Sequence, residues 1–119
     1  MTLDEFRHEM ESYRDDANAE AQRLKDPWIA IERLRILFGR FDESEQRIAN
    51  QVLSEWLLSE DENVRFDAVA LVRDLRVLSA MPVLRELASR LVSSQGPGAP
   101  YELKKVNGLI RELIGERPF

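Results

Sequence analysis

Residues 60–94, EDENVRFDAVALVRDLRVLSAMPVLRELASRLVSS, decide the fold. They read as two helices joined by a short turn. The first runs from Glu62 to about Val77 and is apolar on nearly every side, with Val64, Phe66, Ala68, Val69, Ala70, Leu71, Val72 and Leu75. A helix that is hydrophobic around most of its circumference has to be covered on several faces. The second begins near Ala80, with Pro82 in its first turn, where a missing N–H costs little. Its stripe, Met81, Leu84, Leu87 and Leu91, is one-sided. An inner helix backed by a one-sided helix is the unit of an α-solenoid.

Outward from this pair, the same kind of pattern continues in both directions. A leading helix is expected over about residues 2–25, with Leu3, Phe6, Met10, Tyr13, Ala17, Ala21 and Leu24 spaced three or four apart. The stripe narrows to alanines halfway along, so a second helix can approach closely there. Asp26-Pro27 restarts the chain as cap and first helical position. The next helix carries Trp28, Ile31, Leu34, Leu37 and Phe38, with Phe41 beyond its end. Asp42-Glu43-Ser44-Glu45 has the spacing of a capping box, with Ser44 as a competing cap. A third helix to about Ser59 points Ile48, Val52, Leu53, Trp56 and Leu57 inward. Residues 93–100, SSQGPGAP, form a loop. A closing helix over about 100–114 carries Leu103, Val106, Leu109 or Ile110, and Leu113, and Gly115 and Pro118 end it.

Helix starts at Pro27, Glu62 and Pro100, and second members at Ser44 and Ala80, give a loose period in the solenoid range. The expectation is an all-α single domain of about six helices. It comprises the leading helix, helical pairs over about 27–59 and 61–93, and the closing helix.

The totals remove several classes of function. The 119 residues suffice for one domain with a core. No apolar run approaches the length of a membrane span. The N-terminus, MTLDEFRHEMESYRDD, is acidic and amphipathic, unlike a signal or transit peptide, so a cytoplasmic location is expected. Without Cys there is no disulfide, thiolate metal site or cysteine nucleophile, and the lone His8 argues against a His-based zinc site or a Ser–His triad. Gly96-Pro97-Gly98 lacks the Lys-Ser/Thr of a phosphate-binding loop. No cofactor, metal or catalytic residue is expected. The net charge of −5 argues against nucleic acid as a partner. The acidity is concentrated in residues 1–62, which carry 16 acids and 8 bases, against 6 and 9 in the remainder.

The segment Asp61-Glu62-Asn63-Val64-Arg65, with Ala68, Ala70 and Leu71, resembles the first helix of a HEAT repeat, which favours an acidic turn, then Val-Arg, then small residues. Ser79-Ala80-Met81-Pro82-Val83-Leu84 resembles the second helix of such a repeat. Residues 27–59 match by period and hydrophobic pattern and lack Val-Arg. The leading EFRHEMESYRDDANAEAQRLKDP helix, the SEWLLSEDENVRFDAVALVRDLR core and the compact length resemble small HEAT-like immunity proteins that accompany bacterial polymorphic toxins. That resemblance implies a non-catalytic protein that binds and neutralises a cognate toxin; on charge alone, the toxin would be basic, with a nuclease as one case. The alternatives are a HEAT-like adaptor in a larger bacterial complex and, third, a HEAT-like enzyme such as a bilin lyase. Monomer and homodimer both remain open.

Candidate partner-binding residues follow from surface chemistry. Glu60, Asp61 and Glu62 form an acidic turn that would steer a basic partner. Asp61 and Glu62 also suit a helix N-terminus, where acids complement the macrodipole. Asp42, Glu43 and Glu45 repeat that pattern. Trp28, in a first turn, and Tyr101, beside the Gly-Pro loop, are aromatic contacts of the type enriched in binding hot spots. Arg73 is an exposed candidate near a helix C-terminus. Trp56 reads as core, His8 as surface, and Arg65 as one partner of an internal ion pair between adjacent repeats.

Overall fold

The computed structural model describes residues 2–115. Among them the regular structure is all helical: α1 (Leu3–Leu24), α2 (Trp28–Gly39), α3 (Glu43–Leu57), α4 (Glu62–Leu75), α5 (Met81–Val92) and α6 (Ala99–Leu113), with a 3-10 turn at Leu78–Ala80. No helix among the described residues is long and apolar enough to cross a membrane. Pro118, expected to help end the last helix, lies outside the described residues. The chain divides into two compact units, Met1–Glu55 and Trp56–Phe119, with the division falling inside α3.

In the first unit, α1 and α2 pack closely. The reason is side-chain size: Ala17 and Ala21 of α1 and Ala30 of α2 form a buried cluster, with Ile29 against it. Three methyl groups in place of longer side chains let the two backbones approach. The expectation that the alanine stretch would receive a neighbouring helix is met by α2. Farther along, Phe6 packs on Phe41 with ring centroids 5.0 Å apart, and Phe38 lies 5.5 Å from Phe41. Leu24, expected in the stripe, is 50% exposed instead, because α1 stops beside it. Arg7 ties α1 to α3 through both carboxylate oxygens of Glu55, and it also contacts Asp4. Those carboxylates raise the Arg7 pKa, the Glu55 hydrogen bond being the largest cause.

The ends of the helices follow from local chemistry. Asp42 caps α3 in a reciprocal box: the Glu45 N–H donates to Asp42 Oδ1 at 2.8 Å, and the Asp42 N–H donates to Glu45 Oε1 at 3.0 Å. Ser44 therefore does not act as the cap, and α3 begins at Glu43. Asp26 accepts from the Trp28 N–H at 3.1 Å, and Pro27, expected as the first helical residue, is the N-cap instead, so α2 begins at Trp28. Asp61 accepts from the Asn63 N–H at 2.8 Å and opens α4.

Two helices end in the left-handed region without glycine. Lys25 has φ 57° and Arg76 has φ 51°. In each case the next residue closes a wider ring: Asp26 N–H to Ala21 C=O at 2.9 Å, and Val77 N–H to Val72 C=O at 3.1 Å. The Lys25 and Arg76 N–H groups donate to Gln22 and Arg73. This pair of bonds is the Schellman motif. It stops α4 at Leu75, two residues earlier than its apolar pattern.

In the second unit, Trp56, Leu57, Ala68, Ala70, Leu71, Val72, Leu84, Leu87, Leu91, Ala99, Val106, Leu109 and Leu113 are buried. The one-sided stripe of α5 faces inward, and α5 packs closely on α6. The expected cover of α4 on several faces does not extend to the flank that carries Phe66. Phe66 is 41% exposed, and Val64, Val69 and Leu75 are half-buried, so one flank of α4 stays open. Asp67 is buried instead, and buried side-chain polar atoms among the described residues all have hydrogen-bond partners.

Candidate functional site

The open flank of α4 meets α6. Arg65, in the first turn of α4, donates from Nε to Glu102 Oε2 at 2.7 Å and from Nη2 to Glu102 Oε1 at 3.0 Å. Its Nη1 donates to the Ser59 carbonyl at 2.9 Å and the Glu60 carbonyl at 3.1 Å. Arg65 thus closes the turn before its own helix and reaches a second helix. A planar guanidinium presents a fork of donors that matches a carboxylate edge-on. Both side chains are 17% exposed, so the pair is shielded from bulk water. The Glu102 hydrogen bond raises the Arg65 pKa; burial opposes the shift, and the charges of Glu102, Glu62 and Asp61 add to it.

Facing residues advance together along the two helices. Glu62 lies by Gly98, Arg65 meets Glu102, Phe66 meets Lys105, and Val69 and Val106 line one notch. Only helices running side by side in the same direction give this order. α4 and α6 begin 37 residues apart, the same separation as Arg65 and Glu102. They therefore lie parallel and in register, with α5 between them in the chain.

The notch between them has a volume of about 70 Å³. Its walls are Phe66 and Tyr101, which are 41% and 66% exposed. The Lys105 ammonium lies 4.7 Å from the Tyr101 ring centroid and 5.2 Å from that of Phe66, within cation–π range of both. Glu62 sits at the edge, and the Arg65–Glu102 pair at the base carries no net charge. Pockets for metabolites run to about 300 Å³ and above. A notch this small accepts the tip of a side chain.

The sequence-derived candidates are distributed unevenly. Glu62 and Tyr101 meet at the notch, and Asp61 and Glu60 lie just before it in the chain. Asp61 is engaged in capping, and the Glu60 carbonyl in the Arg65 bond. Arg73 is half-exposed and pairs with Asp74 at 3.5 Å. It is 11 residues beyond Glu62, about 16 Å along the helix, and so outside the notch. In the first unit, Trp28 is 55% exposed, Asp42 and Glu45 cap α3, and Glu43 pairs with Arg47 at 3.4 Å on the surface. His8 is exposed and Trp56 buried, as their positions imply. Phe66 and Lys105 were absent from the candidates. Phe66 sits in a continuous apolar run that reads as core, and nothing local marks Lys105 as its neighbour.

A second depression lies in the first unit, lined by Phe6, Met10, Tyr13, Leu37 and Phe41 with Glu9 and Asp16 at its edge. Its volume is about 280 Å³. Phe6 and Met10 are buried at its floor.

No family model, curated protein or solved structure matches this chain.

Proposed function

We propose that this chain is a non-catalytic, HEAT-like protein-binding module that binds and neutralises a cognate bacterial toxin in the cytoplasm. The observation that carries the reading is the parallel α4–α6 pair, offset by 37 residues, with exposed Phe66 and Tyr101 along its open edge. Alternate helices of like direction are what a stacked helical repeat requires. Exposed aromatic side chains on such an edge are the residue types that anchor protein interfaces. The Val-Arg segment of α4 supports the same reading from sequence.

The acidic residues supply encounter rather than anchoring. Glu60, Asp61 and Glu62 beside the notch, and Asp42, Glu43 and Glu45 with Trp28 in the first unit, would attract a basic partner and raise its association rate. Occlusion then suffices for neutralisation, and no bond in the toxin need be made or broken.

Growth rescue tests the proposal. The product of the gene immediately upstream is expressed in a sensitive bacterium, with and without this chain. Toxicity that disappears only on co-expression is expected. A toxic product that kills equally in both strains overturns the pairing. A harmless product that nevertheless forms a lasting complex with the chain favours an adaptor.

A further inference from the structure

The notch on α4 and α6 already holds a cation, and that cation is the protein's own. Lys105 reaches across to lie over both the Phe66 and the Tyr101 rings. An aromatic face attracts a cation through its quadrupole, and two faces at similar distance form a clamp for one positive group. Lys105 itself is exposed, on a long flexible stem that can swing into water. The Arg65 guanidinium cannot leave in this way, because Glu102 and two backbone carbonyls hold it.

The geometry points to a cation-recognition notch whose occupant is an arginine side chain of a basic partner protein, with Lys105 as a displaceable internal placeholder. Three features of the site select that occupant. The paired aromatic walls favour a flat cation, and a guanidinium stacks on a ring as well as being attracted by it. The Glu62 carboxylate, which lines the notch and also acts on Arg65, adds a negative charge that favours an incoming cation. A volume of about 70 Å³ is on the scale of a side-chain tip. An acidic partner would meet Glu62 and the Glu60–Asp61 turn at the same edge. The placeholder has a thermodynamic consequence: any arriving cation competes with Lys105, so removing the competitor tightens binding. The identity of the occupant as part of a protein rests on the protein-binding function proposed above. The clamp can be measured without any toxin.

The test uses the whole chain and two short peptides, acetyl-Gly-Arg-Gly-amide and its citrulline counterpart, which keeps the shape and loses the charge. NMR titration follows the Phe66 and Tyr101 ring signals. The arginine peptide is expected to shift both sets saturably, and the citrulline peptide to leave them unmoved. Lys105→Met is expected to tighten arginine binding by about two- to fivefold, the fold-change corresponding to one exposed cation–π contact. Phe66→Leu and Tyr101→Leu, both at exposed positions that fold need not depend on, are expected to weaken it, and Glu62→Gln likewise. Circular dichroism verifies that each variant keeps its helicity. Equal shifts with citrulline, no gain in Lys105→Met, or no saturable binding in any variant would overturn the assignment. Arginine binding without growth rescue would leave the clamp standing and remove the toxin; rescue without arginine binding would do the reverse.

Discussion

Arg65 and Glu102 stand 37 residues apart in the chain and face each other through two hydrogen bonds, each from the first turn of its helix. The pair sets the register of α4 against α6. Its partial burial makes each partner costly to remove, since the survivor keeps a charge in a poorly hydrated place. Arg65→Gln and Glu102→Gln are each expected to lower stability by about 2 kcal/mol. The double variant should cost less than the sum of the two. Urea unfolding of the four proteins of the cycle measures this coupling.

The direction of the Arg65 shift fixes its pH behaviour. A pKa raised on folding contributes stability that is complete below the unfolded pKa and is lost as pH rises through the folded one. For a guanidinium both lie far above neutrality. The destabilisation by Arg65→Gln should therefore be the same at about pH 7 and at about pH 9. Paired denaturation curves at the two pH values check it.

The alanine contact between α1 and α2 leaves no room for larger side chains. Ala21→Leu is expected to cost about 1–3 kcal/mol through overpacking. Leu24→Ala, one turn away and half-exposed, should cost well under that. Thermal unfolding of the two variants distinguishes a close helix contact from a general preference for apolar residues.

The left-handed helix ends give a prediction of opposite sign. Lys25→Gly and Arg76→Gly each relieve a Cβ held at positive φ, and each should raise stability by up to about 1 kcal/mol. Asp42→Ala removes the capping box of α3 and should lower it by about 1 kcal/mol. Differential scanning calorimetry reads all three.

Much of this architecture is legible in the residues, because the signals are local. Asp42 and Asp61 cap where their spacing places them, and the three-and-four stripes of α1, α5 and α6 face inward except at Leu24. Arg65 is legible as an internal ion-pair partner, since a cation beside so apolar a helix needs one. Its partner is not, because Glu102 lies 37 residues away on another helix. The left-handed turns at Lys25 and Arg76 are hidden for another reason: the usual marker is glycine, and neither position has it. The open edge of α4 is the most consequential gap. Phe66 belongs by composition to the core, and only the placement of α6 leaves it uncovered and sets Lys105 over it. A surface assembled from two helices is invisible to a reading that takes one helix at a time.

The proposed neutralisation of a toxin by binding, without catalysis, has a direct measure. A fixed amount of the purified toxic partner is titrated with this chain, and its residual activity is followed to the end point. Inhibition is expected to rise linearly and finish near equimolar chain, with Phe66→Leu and Tyr101→Leu requiring more. Complete inactivation at a small fraction of equimolar, still progressing with time, would mean turnover and contradict a purely binding role; no inhibition at any ratio would contradict neutralisation itself.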